Sequence, residues 1–202
     1  NINLKMMLDF SEKLYLEEGF FKYIQQKEST SKNRNIFSLS KAKMLIKNRR
    51  FNDAFEAISE IETRPDLKVD FLPVLAAFLL ECEQKENARR VISKFLSQKQ
   101  KITASDIVDS AAVFYLLGDY EKSLNLINLV QDEKFPISLI RSDIYLQLGE
   151  GDLAQKELSG LTNLGEYEFD LAGINTRNIP YPANWGKSIV AHLSAVCAVQ
   201  MF

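Results

Sequence analysis

Gly118-Asp119-Tyr120-Glu121-Lys122-Ser123 is a chain break followed at once by a helix start, and its shape recurs. Arg49-Arg50-Phe51-Asn52-Asp53-Ala54 and Gly149-Glu150-Gly151-Asp152-Leu153-Ala154 repeat it. Glu83–Ala88 is a degenerate fourth copy that ends in the same small residue. The small residues Ala54, Ala88, Ser123 and Ala154 are spaced by 34, 35 and 31 positions. Twelve residues before each lies another small one: Ala42, Ala76, Ala111 and Ser142. Four after each lies a branched aliphatic (Ile58, Ile92, Ile127, Leu158), and seven after, a large apolar residue (Ile61, Phe95, Val130, Leu161). A small residue on each of two neighbouring helices lets their backbones approach closely. The larger residues then fill the space against the next pair.

The surrounding sequence supports helices. No Gly and only two Pro fall between Phe20 and Leu117. Apolar residues recur at spacings of three and four, as in Ala54, Ala57, Ile58, Ile61 and in Ser123, Leu126, Ile127, Val130. Breaks are expected at Arg64-Pro65-Asp66, Gln98–Thr103, Gly118-Asp119, Phe135-Pro136 and Gly149–Asp152.

This pattern resembles the tetratricopeptide repeat (TPR) family over residues 36–161, as four degenerate repeats. The turn Gly118-Asp119-Tyr120, preceded by Tyr115 and Leu116, is its most typical element. The family's Trp near the repeat start is absent, its terminal Pro is displaced (Pro65, Pro136) or missing, and Lys85 replaces an aromatic in the second repeat. The resemblance implies an all-α fold, a right-handed α-solenoid of antiparallel helix hairpins. Residues 1–35 read as N-terminal capping helices over Leu4–Gln26 and a flexible polar linker over Lys27–Asn35. Residues 162–202 read as a loop through Asn163–Gly186, then an apolar helix over Ser188–Phe202. That helix lies about one repeat beyond Ala154, with Trp185 in an aromatic position before it.

The resemblance also implies a binding face. The first helix of each hairpin lines the concave side, through residues about 15, 11 and 8 before each small marker. These are Leu39, Lys43 and Ile46; Pro73, Ala77 and Leu80; Val108, Ala112 and Tyr115; and Leu139, Asp143 and Leu146. Ten of the twelve are uncharged and most are apolar. Relatives that grip a peptide's terminal carboxylate use Lys, Arg and Asn here; Lys43 alone is basic, which disfavours that mode. An apolar face suits a hydrophobic or amphipathic segment of another protein, the work of a scaffold, adaptor or chaperone. Left empty, so long a strip is a liability. The occupants to weigh are the uncharged Ser188–Phe202, the N-terminal helix with Met7, Phe10, Leu14, Phe20 and Phe21, and a separate protein. Ser188–Phe202 serves equally as a cap on the last hairpin or as a self-association contact.

Composition narrows the chemistry. The 202 residues are 46% hydrophobic and 26% charged, as in a soluble globular protein. The formal net charge of −2 hides an asymmetry: 19 basic against 14 acidic residues over 1–102, and 6 against 13 over 103–202. Residues 27–50 carry Lys27, Lys32, Arg34, Lys41, Lys43, Lys47, Arg49 and Arg50 against Glu28 alone. Binding of nucleic acid or an acidic ligand through this segment is the alternative function. A solvated basic face is the blander reading, and nucleic acid is the less favoured partner.

Catalytic signals are missing. Cys82 and Cys197 cannot build a disulfide framework or a four-Cys zinc site, and His192 is the single histidine. Gly186-Lys187-Ser188 ends like a phosphate-binding loop, but Tyr181 stands where the loop's first Gly belongs. His192 sits among Ile189, Leu193 and Val196 as a packing residue, and both thiols read as inert. Glu166, Glu168 and Asp170 alternate with Tyr167 and Phe169 as a solvated loop or an acidic-aromatic contact strip. No base–nucleophile pair emerges, so no enzyme, cofactor or metal is expected. No apolar run reaches the roughly 18 residues of a membrane helix. Free cysteines suit the cytoplasm; the periplasm and secretion stay open, because a chain that does not begin with Met is expected to have lost a leader or an upstream region.

Overall fold

The computed structural model describes residues 4–30, 32–131 and 137–159, and among them every regular element is helical. The described residues form two compact units, one up to residue 100 and one over residues 101–159. The first holds α1 (Leu4–Lys13), α2 (Glu18–Thr30), α3 (Arg34–Lys47), α4 (Phe51–Glu62), α5 (Leu72–Glu81) and α6 (Lys85–Gln98). The second holds α7 (Ala104–Leu116), α8 (Tyr120–Ile127), α9 (Ile137–Gln147) and α10 (Gly151–Ser159). No helix among the described residues is long and apolar enough to cross a membrane. The expected break at Phe135-Pro136, the loop and apolar helix over 163–202, and Leu161, Trp185, His192 and Cys197 lie outside the described residues.

Successive helices pair: α3 with α4, α5 with α6, α7 with α8, and α9 with α10. One backbone device makes each pair fold back. Arg49, Glu83, Gly118 and Gly149 all have φ between 59° and 80°, and each stands five residues before its small marker. The amide after each donates five residues back: Arg50 to the Leu45 carbonyl at 2.9 Å, Gln84 to Leu79 at 2.8 Å, Asp119 to Phe114 at 2.9 Å and Glu150 to Tyr145 at 2.8 Å. The left-handed residue itself donates three back, to Ile46, Leu80, Tyr115 and Leu146 respectively. This is a Schellman closure, which satisfies the last carbonyls of the first helix while reversing the chain.

All eight small residues are fully buried: Ala42, Ala54, Ala76, Ala88, Ala111, Ser123, Ser142 and Ala154. In the α7–α8 pair the crossing is direct, because Ser123 Oγ donates to the Ala111 carbonyl at 2.8 Å. Ile58, Ile92, Ile127, Ile61, Phe95 and Val130 are buried behind them, as their repeat positions require. A capping box starts α7: Thr103 Oγ accepts from the Asp106 amide at 3.2 Å, and the Asp106 carboxylate accepts from the Thr103 amide at 2.8 Å.

Two expectations need correction. Lys27–Asn35 is no flexible linker. α2 runs to Thr30 and α3 begins at Arg34, because the polar residues there have distant partners, described below. The fourth turn is also shorter than Gly149–Asp152, since Gly151 already starts α10. The N-terminal residues do form two helices, and both pack on α3. Met7, Ile24, Phe37 and Met44 join α1, α2 and α3 in one buried cluster.

The turns generate a test. A Cβ added at Gly118 meets nothing within 4 Å, so the penalty of Gly118→Ala is the left-handed backbone alone, about 1–2 kcal/mol. Arg49→Gly and Glu83→Gly remove the same penalty and should stabilise by about 0.5–1 kcal/mol each after the unfolded-chain entropy of glycine is counted. Urea midpoints of the three variants should move in these opposite directions.

Candidate partner-binding face

The twelve expected face residues lie on the first helix of each pair: α3, α5, α7 and α9. Ten of them are buried, and only Leu80 and Tyr115 are part exposed. The face is apolar as the sequence implies, yet it is not an open strip.

In the first unit the reasons are visible. α3 is surrounded by α1, α2, α4 and α5, and ten of its residues are buried. α5, Leu-Pro-Val-Leu-Ala-Ala-Phe-Leu-Leu-Glu, is apolar on nearly every side and buried along eight positions. Pro73 fits because it sits in the first turn, where its missing amide has no intrahelical partner to lose. Lys43, the one basic face residue, is nearly buried. Its ammonium lies 3.2 Å from Glu81 Oε1 and 5.4 Å above the Phe78 ring. It is therefore paired within the unit, from α3 to α5. Alongside it, Lys47 reaches Glu12 of α1 at 2.7 Å. That hydrogen bond outweighs burial and holds the Glu12 carboxyl below its usual range.

In the second unit, Val108 and Ala112 of α7 pack with Ile140 and Ile144 of α9 and with Ile127 and Val130. Tyr115 meets Tyr120 edge-on, ring centres 5.2 Å apart. Leu139, Asp143 and Leu146 are buried on α9.

The basic segment 27–50 is mostly partnered. Arg34 forms a two-pronged pair with Asp66, at 2.6 and 3.0 Å. Lys41 meets Glu28 at 3.2 Å, Arg50 meets Asp53 at 2.5 Å, and Lys27 lies over the Tyr23 ring. With Lys43 and Lys47, five of the eight cations have carboxylate partners, which weakens the segment as a polyanion site.

Glu28 is the centre of this polar region, a role that no motif or spacing around it announces. It accepts from Ser38 Oγ at 2.8 Å, from Lys41 at 3.2 Å and from Arg64 at 3.3 Å. Arg64 also donates to Ser38 at 2.7 Å and to Asn35 at 3.3 Å, and Asn35 donates to the Asp66 carbonyl. The network ties α2, α3 and the segment after α4 together. Burial pushes the Glu28 carboxyl up, but Ser38, Lys41 and Arg64 outweigh it and hold it low. At Glu62 the 2.5 Å contact with Arg90 overrides burial in the same direction.

Cys82 caps α5. Burial, with Glu81 adding, pushes its thiol up to about 11, so the reactive thiolate is scarce at neutral pH. Among the described residues, no three His, Cys, Asp or Glu side chains are grouped to hold a metal ion. No protein-family model, no curated protein and no solved structure matches this chain.

Two measurements follow. The lowered Glu28 and Glu62 carboxyls contribute stability that is complete above the ordinary carboxyl value of 4.5 and is lost as pH falls through their folded values. Chemical denaturation should therefore show stability falling below about pH 4.5, and Glu28→Gln should cost about 1–2 kcal/mol at pH 7 while shallowing that fall. In a Cys197→Ser background, Cys82 should react with a thiol reagent at pH 8 at least about a hundredfold more slowly than the unfolded chain does, as its raised pKa and burial demand.

Proposed function

We propose that this chain is a non-enzymatic TPR-like scaffold or adaptor. In this reading the hairpins form a right-handed α-solenoid, and its concave side holds a hydrophobic or amphipathic segment of a partner protein. One observation carries it: four helix pairs are closed by the same left-handed turn, and the small residues at the same two repeat positions are fully buried in every pair. Such units stack by repetition and offer one helix per unit to a shared surface. The apolar character of that surface favours an apolar ligand over a peptide carboxylate.

Leu80 and Tyr115 are the face positions left part exposed, so they report on binding with least damage to the core. Leu80→Glu and Tyr115→Glu should each lower recovery of an amphipathic-helix peptide from an immobilised library by about tenfold, with helicity by circular dichroism unchanged. Equal recovery by both variants and the wild type defeats the groove reading.

A further inference from the structure

α1 carries a row of large apolar side chains that faces water. On a helix that advances about 100° per residue, Met6, Phe10 and Leu14 fall along one strip. Leu14 belongs to it because its amide continues the helix, donating to the Phe10 carbonyl at 2.8 Å. The three are 44%, 45% and 36% exposed, and Leu16 just beyond them is 75% exposed. Met7, Leu8 and Ser11 take the buried side of the helix, which packs on α3. Other exposed apolar residues among the described ones, such as Phe51, Ile102, Leu129 and Leu153, stand singly along the chain, which is ordinary for a protein surface. Side chains of this size at these exposures leave roughly 300–400 Å² of apolar surface on α1 and its end, as large as the biggest patch on many monomers.

We infer that this strip is a self-association surface, and that its occupant is α1 of a second copy of the chain, packed antiparallel. Charge selects both the occupant and its direction. Asp9 and Lys13 flank the strip together, on the side away from Met7 and Ser11. A two-fold axis at Phe10 brings Leu14 level with Met6 of the second copy. The same axis sets Asp9 within about 3 Å, measured along the helix, of Lys13 of the second copy. The two charges are opposite in sign, and symmetry forms the pair twice. A parallel arrangement sets the charged flank against the Leu14 side of its mate and gains neither pair. A lipid surface fits less well, because Asp9, Glu12, Glu17 and Glu18 lie in or beside α1 and repel anionic headgroups. Two such strips bury roughly 600–800 Å² before any polar rim is added, the low end for specific interfaces, so the dimer is weak and concentration-dependent. None of the twelve concave-face residues belongs to the strip, and neither reading needs the other.

The test uses the full chain. Light scattering over about 5–200 µM should show the mass rising from one chain toward two. Phe10→Lys should weaken this association at least about tenfold, with helicity by circular dichroism unchanged. Asp9→Lys should weaken it as well, and Asp9→Lys combined with Lys13→Asp should restore it, because the swapped charges meet again across the two-fold axis. In a background of Cys82→Ser and Cys197→Ser, Phe10→Cys should oxidise to a disulfide-linked dimer, while Leu153→Cys, comparably exposed on α10, should not. A chain that stays monomeric over the whole range overturns the inference, and flotation of that monomer with vesicles of phosphatidylcholine and phosphatidylserine assigns the strip to lipid instead. A dimer that survives Phe10→Lys overturns it too, as does a double charge variant that associates no better than Asp9→Lys alone.

Discussion

The fold depends on a contact that has almost no side chain in it. Where α7 crosses α8, Ser123 reaches the backbone carbonyl of Ala111, which places two helix backbones at close range. Larger residues at Ala42, Ala76, Ala111 or Ser142, or at their four partners, would wedge the pairs apart. Once the backbones are close, Ile58, Ile92 and Ile127 are carried into the interior behind them. The left-handed turn residue serves the same end. It closes each first helix within three residues, so that the second helix meets it at a fixed register.

Polar contacts then hold what packing alone leaves underdetermined. α1 and α2 lie before the first of the repeated small residues, Ala42. They are held to α3 by the apolar cluster around Met44, by Lys47 on Glu12 and by Glu28 on Ser38, Lys41 and Arg64. Asn48 adds a 2.9 Å bond to the Tyr15 carbonyl. The basic character of residues 27–50 thus answers carboxylates that the chain brings to it from residues 12, 28, 53, 66 and 81. Surface pairs of this kind add little each, while the partly buried set around Glu28 and Arg64 carries more.

The helices were legible because close approach leaves a size signature at fixed spacing. Gly118-Asp119 falls between helices as the sequence requires, and of the expected break Gln98–Thr103 all but Gln98, the last residue of α6, does so. Other features were hidden for physical reasons. The polarity of Lys27–Asn35 suggested a linker, but Glu28 bonds Arg64 across 36 residues and Asn35 bonds the Asp66 carbonyl across 31, and composition holds no record of such distances. Arg49 and Glu83 conceal left-handed turns behind bulky charged side chains; the signal was their alignment with Gly118 and Gly149 in the repeat frame. The face residues were read as apolar, and nearly all are. Apolarity says what a surface prefers to touch, and it is silent on whether the contact has already been made.

Because the turn inside each pair has the same stereochemistry, the second helices of successive pairs start from equivalent points in the repeat frame. A stretch such as the one between Ala54 and Ala88 is then a modular cassette. It is open to duplication or excision in the gene without inventing a new junction, so the span of the molecule is free to grow or shrink by whole increments.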